Sequence, residues 1–148
     1  MKTIGFVGLG MMGQPMSAQL VASGFDVLGY DVSKVNLEAA LTNGVIVHDG
    51  SLSELAEKTD LVILMLPNGD IVRKVVMGDG GSGLKQGLGS HDIIVDMSSA
   101  SPIQTLALAK ELEPAGVHLV DAPVSGNVSR ARTGELTIMA GGDELVLE

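Results

Sequence analysis

Cysteine is absent from the 148 residues, which excludes disulfides and thiolate metal sites. Tryptophan is absent too, and Phe6, Phe25 and Tyr30 are the whole aromatic content. A core must therefore come from Val, Ile, Leu, Met and Ala. Basic residues are scarce: nine Lys and Arg stand against eighteen Asp and Glu, a formal net charge of −9. This balance argues against holding nucleic acid or an anionic membrane by bulk electrostatics, although local dipoles can still hold one phosphate group. Long apolar runs are missing as well. The longest, Leu61 to Leu66, has six residues, against the ~20 that span a bilayer. His48, His91 and His118 lack metal-ligand spacing, so no metal is expected. No leader of signal-peptide form precedes the first strand pattern, and the expected location is the cytoplasm.

What remains is a chain that is 45% hydrophobic, long enough for one domain. Short apolar runs alternate with helical patterns, the rhythm of a parallel sheet with helices on both faces. Strands are expected at Thr3–Gly8, Asp26–Tyr30, Val45–Val47, Leu61–Leu66, Ile93–Asp96 and His118–Val120. Helices are expected at Met12–Ser23, Ser33–Asn43, Ser51–Lys58, Gly69–Met77 and Pro102–Glu113. Ser33 and Ser51 suit N-caps, while Gly24 and Gly44 suit C-terminal caps. Glu54, three residues after Ser51, adds a capping-box pattern. Leu136–Ala140 reads as a final, antiparallel strand after an irregular stretch. Gly78–Ser90 holds six glycines but lacks the Gly-Lys-Ser/Thr ending of a P-loop, and reads as a surface loop.

The chemistry-bearing signal follows the first strand: Gly8-Leu9-Gly10-Met11-Met12-Gly13. Gly8 permits a tight turn, Gly10 lets backbone approach a pyrophosphate, and Gly13 allows close packing of helix on strand. The next helix presents free N–H groups and its positive dipole end to the phosphates. Asp31 ends the second strand, about 20 residues after Gly10, the spacing at which an acid meets the adenosine ribose. A carboxylate there accepts bonds from ribose hydroxyls and repels a 2′-phosphate. Val32 and Ser33 bring no basic group, with Lys34 next along. The expected fold is a doubly wound Rossmann sheet of order 3-2-1-4-5-6, and the expected cofactor is NAD.

The segment Gly5-Phe6-Val7-Gly8-Leu9-Gly10-Met11-Met12-Gly13-Gln14-Pro15-Met16 resembles the opening signature of the β-hydroxyacid dehydrogenases. Met65-Leu66-Pro67, Asp96-Met97-Ser98-Ser99-Ala100-Ser101-Pro102 and Asp121-Ala122-Pro123-Val124-Ser125-Gly126 resemble further motifs of that family, in order. Gly134 to Met139 and Gly141-Gly142 continue the match. The resemblance implies that Leu9, Met11 and Met12 lie with the three glycines at the cofactor, and that Leu66 and Pro67 contact the dinucleotide. It implies that Ser99 stands near the nicotinamide, where the family has Thr. It also implies that Ser125 and Gly126 anchor the carboxylate of a small β-hydroxy acid, with Asn127 where the family carries a second Gly. The family's proton-transferring Lys lies beyond the Gly-Gly stretch, on a helix leading to an all-helical domain. No residue of this chain matches it, so no catalytic residue is assigned. The expected partners are a helical domain of the same parent chain and, in the full-length enzyme, further copies of it.

Two other readings stand beside this one. Imine reductases and 6-phosphogluconate dehydrogenases share the opening motif, but typically end the second strand with Asn-Arg-Ser/Thr, which suits NADP; here the stretch is Tyr30-Asp31-Val32-Ser33. A module that binds or senses NAD without chemistry is the rival of another class. Ser125-Gly126 speaks against it, because a sensor needs no substrate carboxylate site, and the missing Lys speaks for it.

Overall fold

The computed structural model describes residues 2–147; Met1 and Glu148, the ends of the expected domain, lie outside the described residues. Six strands run parallel: β1 (Thr3–Val7), β2 (Asp26–Tyr30), β3 (Ile46–Val47), β4 (Leu61–Leu64), β5 (Ile93–Asp96) and β6 (His118–Asp121). Their order in the sheet is β3-β2-β1-β4-β5-β6. The direction of winding reverses between β1 and β4, which places a crevice outside the carboxyl ends of those two strands.

Helices α1 (Gly13–Ala22), α2 (Lys34–Thr42), α3 (Leu52–Glu57), α4 (Gly69–Met77) and α5 (Pro102–Leu112) connect the strands. Strand side chains alternate between faces, and two cores result. Ile4, Phe6 and Ile63 pack with Met16 of α1 and Ala40 of α2 on one face. Val7, Val62, Leu64 and Ile94 pack with Leu55, Val72 and Leu108 of α3, α4 and α5 on the other. Both faces being buried, the strands read as continuous apolar runs.

The caps fall where the sequence places them. Ser33 Oγ accepts from the Asn36 N–H (3.3 Å) and Ser51 Oγ from the Glu54 N–H (3.2 Å). The Glu54 carboxylate accepts from the Ser51 hydroxyl instead of reaching the Ser51 amide, so the capping box is half formed. Gly24 and Gly44 follow their helices at φ 96° and 86°, a region that glycine enters without steric cost.

Beyond β6 the structure departs from expectation. The stretch expected to be irregular contains a strand, β7 (Val124–Ser125), and a helix, α6 (Val128–Thr133). The final strand is shorter than expected: β8 (Thr137–Ile138) pairs antiparallel with β7 as a separate two-stranded ribbon. Ala131 of α6 is buried against the core beneath α1. The backbones of Asp121 and Gly141 bond reciprocally at 2.9 and 2.6 Å, and a short helix, α7 (Glu144–Leu147), follows. The glycine-rich segment holds one turn of 3-10 helix at Leu84–Gly87.

Candidate cofactor site

A cavity of about 480 Å³ opens at the reversal point, lined by Gly8, Gly10, Met11, Met12, Gly13, Asp31, Leu66 and Pro67 together with Tyr30, Val32, Asn36, Met65, Ile71 and Val75. Its size falls in the range of ordinary ligand pockets.

The three glycines differ in what holds them. A Cβ on Gly8 would run into the Met65 carbonyl, and one on Gly13 into the Gly8 carbonyl. Those two glycines are required by the protein's own packing. A Cβ on Gly10 would meet no atom within 4 Å beyond its own chain neighbours. Packing therefore gives no reason for glycine at residue 10, whereas a phosphate resting on that backbone does. The first turn of α1 fits the same ligand. Met12 offers no side-chain acceptor at the N-cap, and no acidic side chain lies in the first turn, so the helix dipole meets no competing carboxylate there.

Asp31 is half-buried and cross-braced. Its Oδ2 accepts from the Leu9 N–H (2.8 Å) and from Asn36 Nδ2 (3.2 Å), and its Oδ1 accepts from the Ser33 N–H (2.8 Å). Gln14 Nε2 closes the brace by donating to the Leu9 and Asn36 carbonyls at 2.8 and 2.6 Å. The glycine turn, the end of β2 and the start of α2 are thereby tied together with no ligand needed. A carboxylate has about four acceptor positions, so Asp31 keeps capacity on the side that lines the cavity. Val32, next to it, is 92% exposed and provides no positive charge for a 2′-phosphate.

Other expected site residues are placed elsewhere. Leu9 is 0% exposed; its side chain lies in the core against Gly29, and its amide is committed to Asp31. Ser99 is exposed just past the end of β5 and does not line this cavity. Ser125, Gly126 and Asn127 are exposed on the β7–α6 corner, also outside the cavity but beyond the carboxyl end of β6, the same edge of the sheet. Gly126 has φ 142°, and a Cβ there would press on Leu136. Asn127 serves its own corner, where its Oδ1 caps α6 by accepting from the Arg130 N–H (3.0 Å).

Sequence reasoning missed Gln14 and Asn36, whose amides do the bracing. Asn36, one helical turn past the N-cap Ser33, was the legible signal; Gln14 gave none. That reasoning placed Asp96 and Ser98 in a motif but gave them no role. Asp96 is pushed above the ordinary carboxylate value of 3.8, chiefly by burial, opposed by bonds from Ser98 and reinforced by the charge of Asp121. Asp121, its register partner on β6, is also raised by burial. Among the described residues no group of three or more His, Asp or Glu is placed to hold a metal ion, and no helix is long and apolar enough to cross a membrane.

Comparison with known proteins agrees with this geometry. Residues 3–148 match the family described as the NAD binding domain of 6-phosphogluconate dehydrogenase. A 2-(hydroxymethyl)glutarate dehydrogenase of Eubacterium barkeri is 42% identical over 147 residues, 98% of this chain and 47% of that protein. The mitochondrial 3-hydroxyisobutyrate dehydrogenase of Mus musculus is 38% identical over 141 residues, 95% of this chain and 41% of that protein. The structure of a Mycobacterium tuberculosis 3-hydroxyisobutyrate dehydrogenase with L-serine superposes with a TM-score of 0.90 at 37% identity, over 99% of this chain and 48% of that one. The chain thus spans about half the length of these relatives. It belongs to the family of NAD-binding domains described for 6-phosphogluconate dehydrogenase, and its relatives there are β-hydroxyacid dehydrogenases of the 3-hydroxyisobutyrate type.

Proposed function

We propose that this chain is the cofactor half of an NAD-dependent dehydrogenase that transfers hydride between the dinucleotide and a small β-hydroxy acid. The observation that carries the reading is Gly10, a glycine that the protein's packing does not require, in one cavity with Asp31. The backbone of Gly10, Met11 and Met12 would hold the pyrophosphate at the start of α1, and Asp31 would accept from the adenosine ribose. Leu66 and Pro67 would flank the dinucleotide across the cavity. Ser99 would stand by the nicotinamide. Bound NAD supplies the hydride acceptor, or in reduced form the donor.

Ser125 and Gly126 would bind the substrate carboxylate through a hydroxyl and a backbone N–H, with the Asn127 Nδ2 amide available beside them. An alkoxide forming at the carbonyl needs a proton donor, which the family resemblance assigns to a Lys beyond residue 148. The chain alone is therefore expected to bind cofactor with little or no turnover. A helical second domain, a homo-oligomeric full-length enzyme and a cytoplasmic location belong to the same proposal.

Calorimetric titration with NAD and NADP tests it. NAD is expected to bind measurably tighter. Asp31→Ala should narrow the gap by about 1–2 kcal/mol and weaken NAD itself, because the variant also frees the Leu9 amide. Equal affinity of the wild-type chain for both dinucleotides would contradict the assignment.

A further inference from the structure

Between the dinucleotide cavity and the Ser99 loop lies a buried polar pair that neither packing nor ligand contact explains. Asp96, the last residue of β5, is 1% exposed, and Ser98 is 0% exposed. Asp96 Oδ1 accepts from the Ser98 N–H at 3.0 Å. Ser98 Oγ in turn accepts from the Leu66 N–H at 2.8 Å, across 32 residues of sequence.

That last bond falls where the sheet stops providing partners. The Met65 N–H still bonds the Val7 carbonyl, and the Met97 N–H the Leu64 carbonyl. One residue further, β1 and β4 part to form the crevice. Pro67 has no N–H to give, so Leu66 carries the last amide by which the loop can be tied down before Asn68. A side chain rather than a strand takes it. Asp96 holds Ser98 in place by accepting its backbone N–H, which sets the hydroxyl where it receives the Leu66 amide.

We propose that Asp96 and Ser98 are positioning residues for the dinucleotide: they clamp the Leu66–Pro67 loop to the Ser99 loop and so fix the gap in which the nicotinamide half lies. The inference rests on the cofactor reading above. It makes a distinction that a purely structural role does not. A ligand spanning both loops depends on the gap, whereas one confined to the glycine turn and Asp31 does not.

The test compares reduced NAD, followed by its fluorescence, with ADP, which lacks the nicotinamide half, on the wild-type chain, Ser98→Ala and Asp96→Asn. Loss of one such bond corresponds to about two- to ten-fold in affinity. Ser98→Ala is expected to weaken reduced NAD by about five- to ten-fold and ADP by less than two-fold. Asp96→Asn, which keeps an acceptor for the Ser98 amide, should show the same selectivity at about two- to five-fold, and it decides the matter should Ser98→Ala not fold. Equal losses for both ligands, or no loss for either, overturn the clamp. A wild-type chain that binds neither ligand overturns the cofactor reading, and the clamp with it.

Discussion

The Gly8–Gly13 turn and the Ser125–Asn127 corner sit on the same edge of the sheet and are built in opposite ways. The turn is locked from every side: Gly8 against the Met65 carbonyl, Gly13 against Gly8, and Leu9 held at its amide by Asp31 and at its carbonyl by Gln14. The corner is exposed, carried by two-residue strands and a helix of six residues. A cofactor that stays while substrates change needs a preformed cradle, since ordering the site on binding would cost affinity. A substrate subsite that a second domain completes can be left open. The contrast fits the proposed function, in which this chain would hold the whole cofactor site and one wall of a substrate site.

The largest effect expected from breaking this contrast is at the locked side. Gly13→Ala forces a Cβ onto the Gly8 carbonyl in a site with no flexible neighbour to yield. Urea unfolding should show a loss of about 3 kcal/mol, as for overpacked cores, with cofactor binding lost as well. A loss under about 1 kcal/mol would mean that the turn is looser than its contacts imply.

On the open side, Asn127→Ala removes the cap of α6 and should cost about 1 kcal/mol. Cofactor affinity should hold within two-fold, because the corner does not line the cavity. A larger loss of NAD binding would show that the two regions are coupled already in this chain.

The architecture was legible in the sequence because strands buried on both faces announce themselves as apolar runs, and Ser33, Ser51, Gly24 and Gly44 punctuate them. Strand order, cap positions and most boundaries fall within two residues of the expected ones. β4 stops at Leu64 rather than Leu66 because the chain there leaves the sheet to form the crevice, although its apolar run continues. Helix α6 escaped notice for a physical reason: it buries Ala131 alone, so no periodicity betrays it. Leu9 shows the limit of motif reading, since its place in the glycine signature says nothing of which way its side chain points. Ser98 shows another, because its partner is 32 residues away.

The smallest expected effect lies between the two regions, at Asp96. Burial and the neighbouring Asp121 raise its pKa in the folded chain. The folded state then holds a proton that the unfolded state releases, so this residue's contribution to stability falls as pH rises from 3.8 through the raised value. Asp96→Asn should flatten that part of the stability curve and leave the slope from Asp121 in place. Urea unfolding of both proteins at several values between about pH 4 and pH 7 checks it; parallel curves would refute the assignment.

The central claim, that the reversal-point cavity is a dinucleotide site with its phosphate cradle at Gly10, is tested most directly by Gly10→Ala. The added methyl meets no atom within 4 Å beyond its own chain neighbours, so the unfolding free energy should change by less than about 0.5 kcal/mol. NAD affinity, measured calorimetrically on the same preparation, should fall by at least about ten-fold, the equivalent of 1.4 kcal/mol. Unchanged NAD binding in a stable Gly10→Ala chain would contradict the claim.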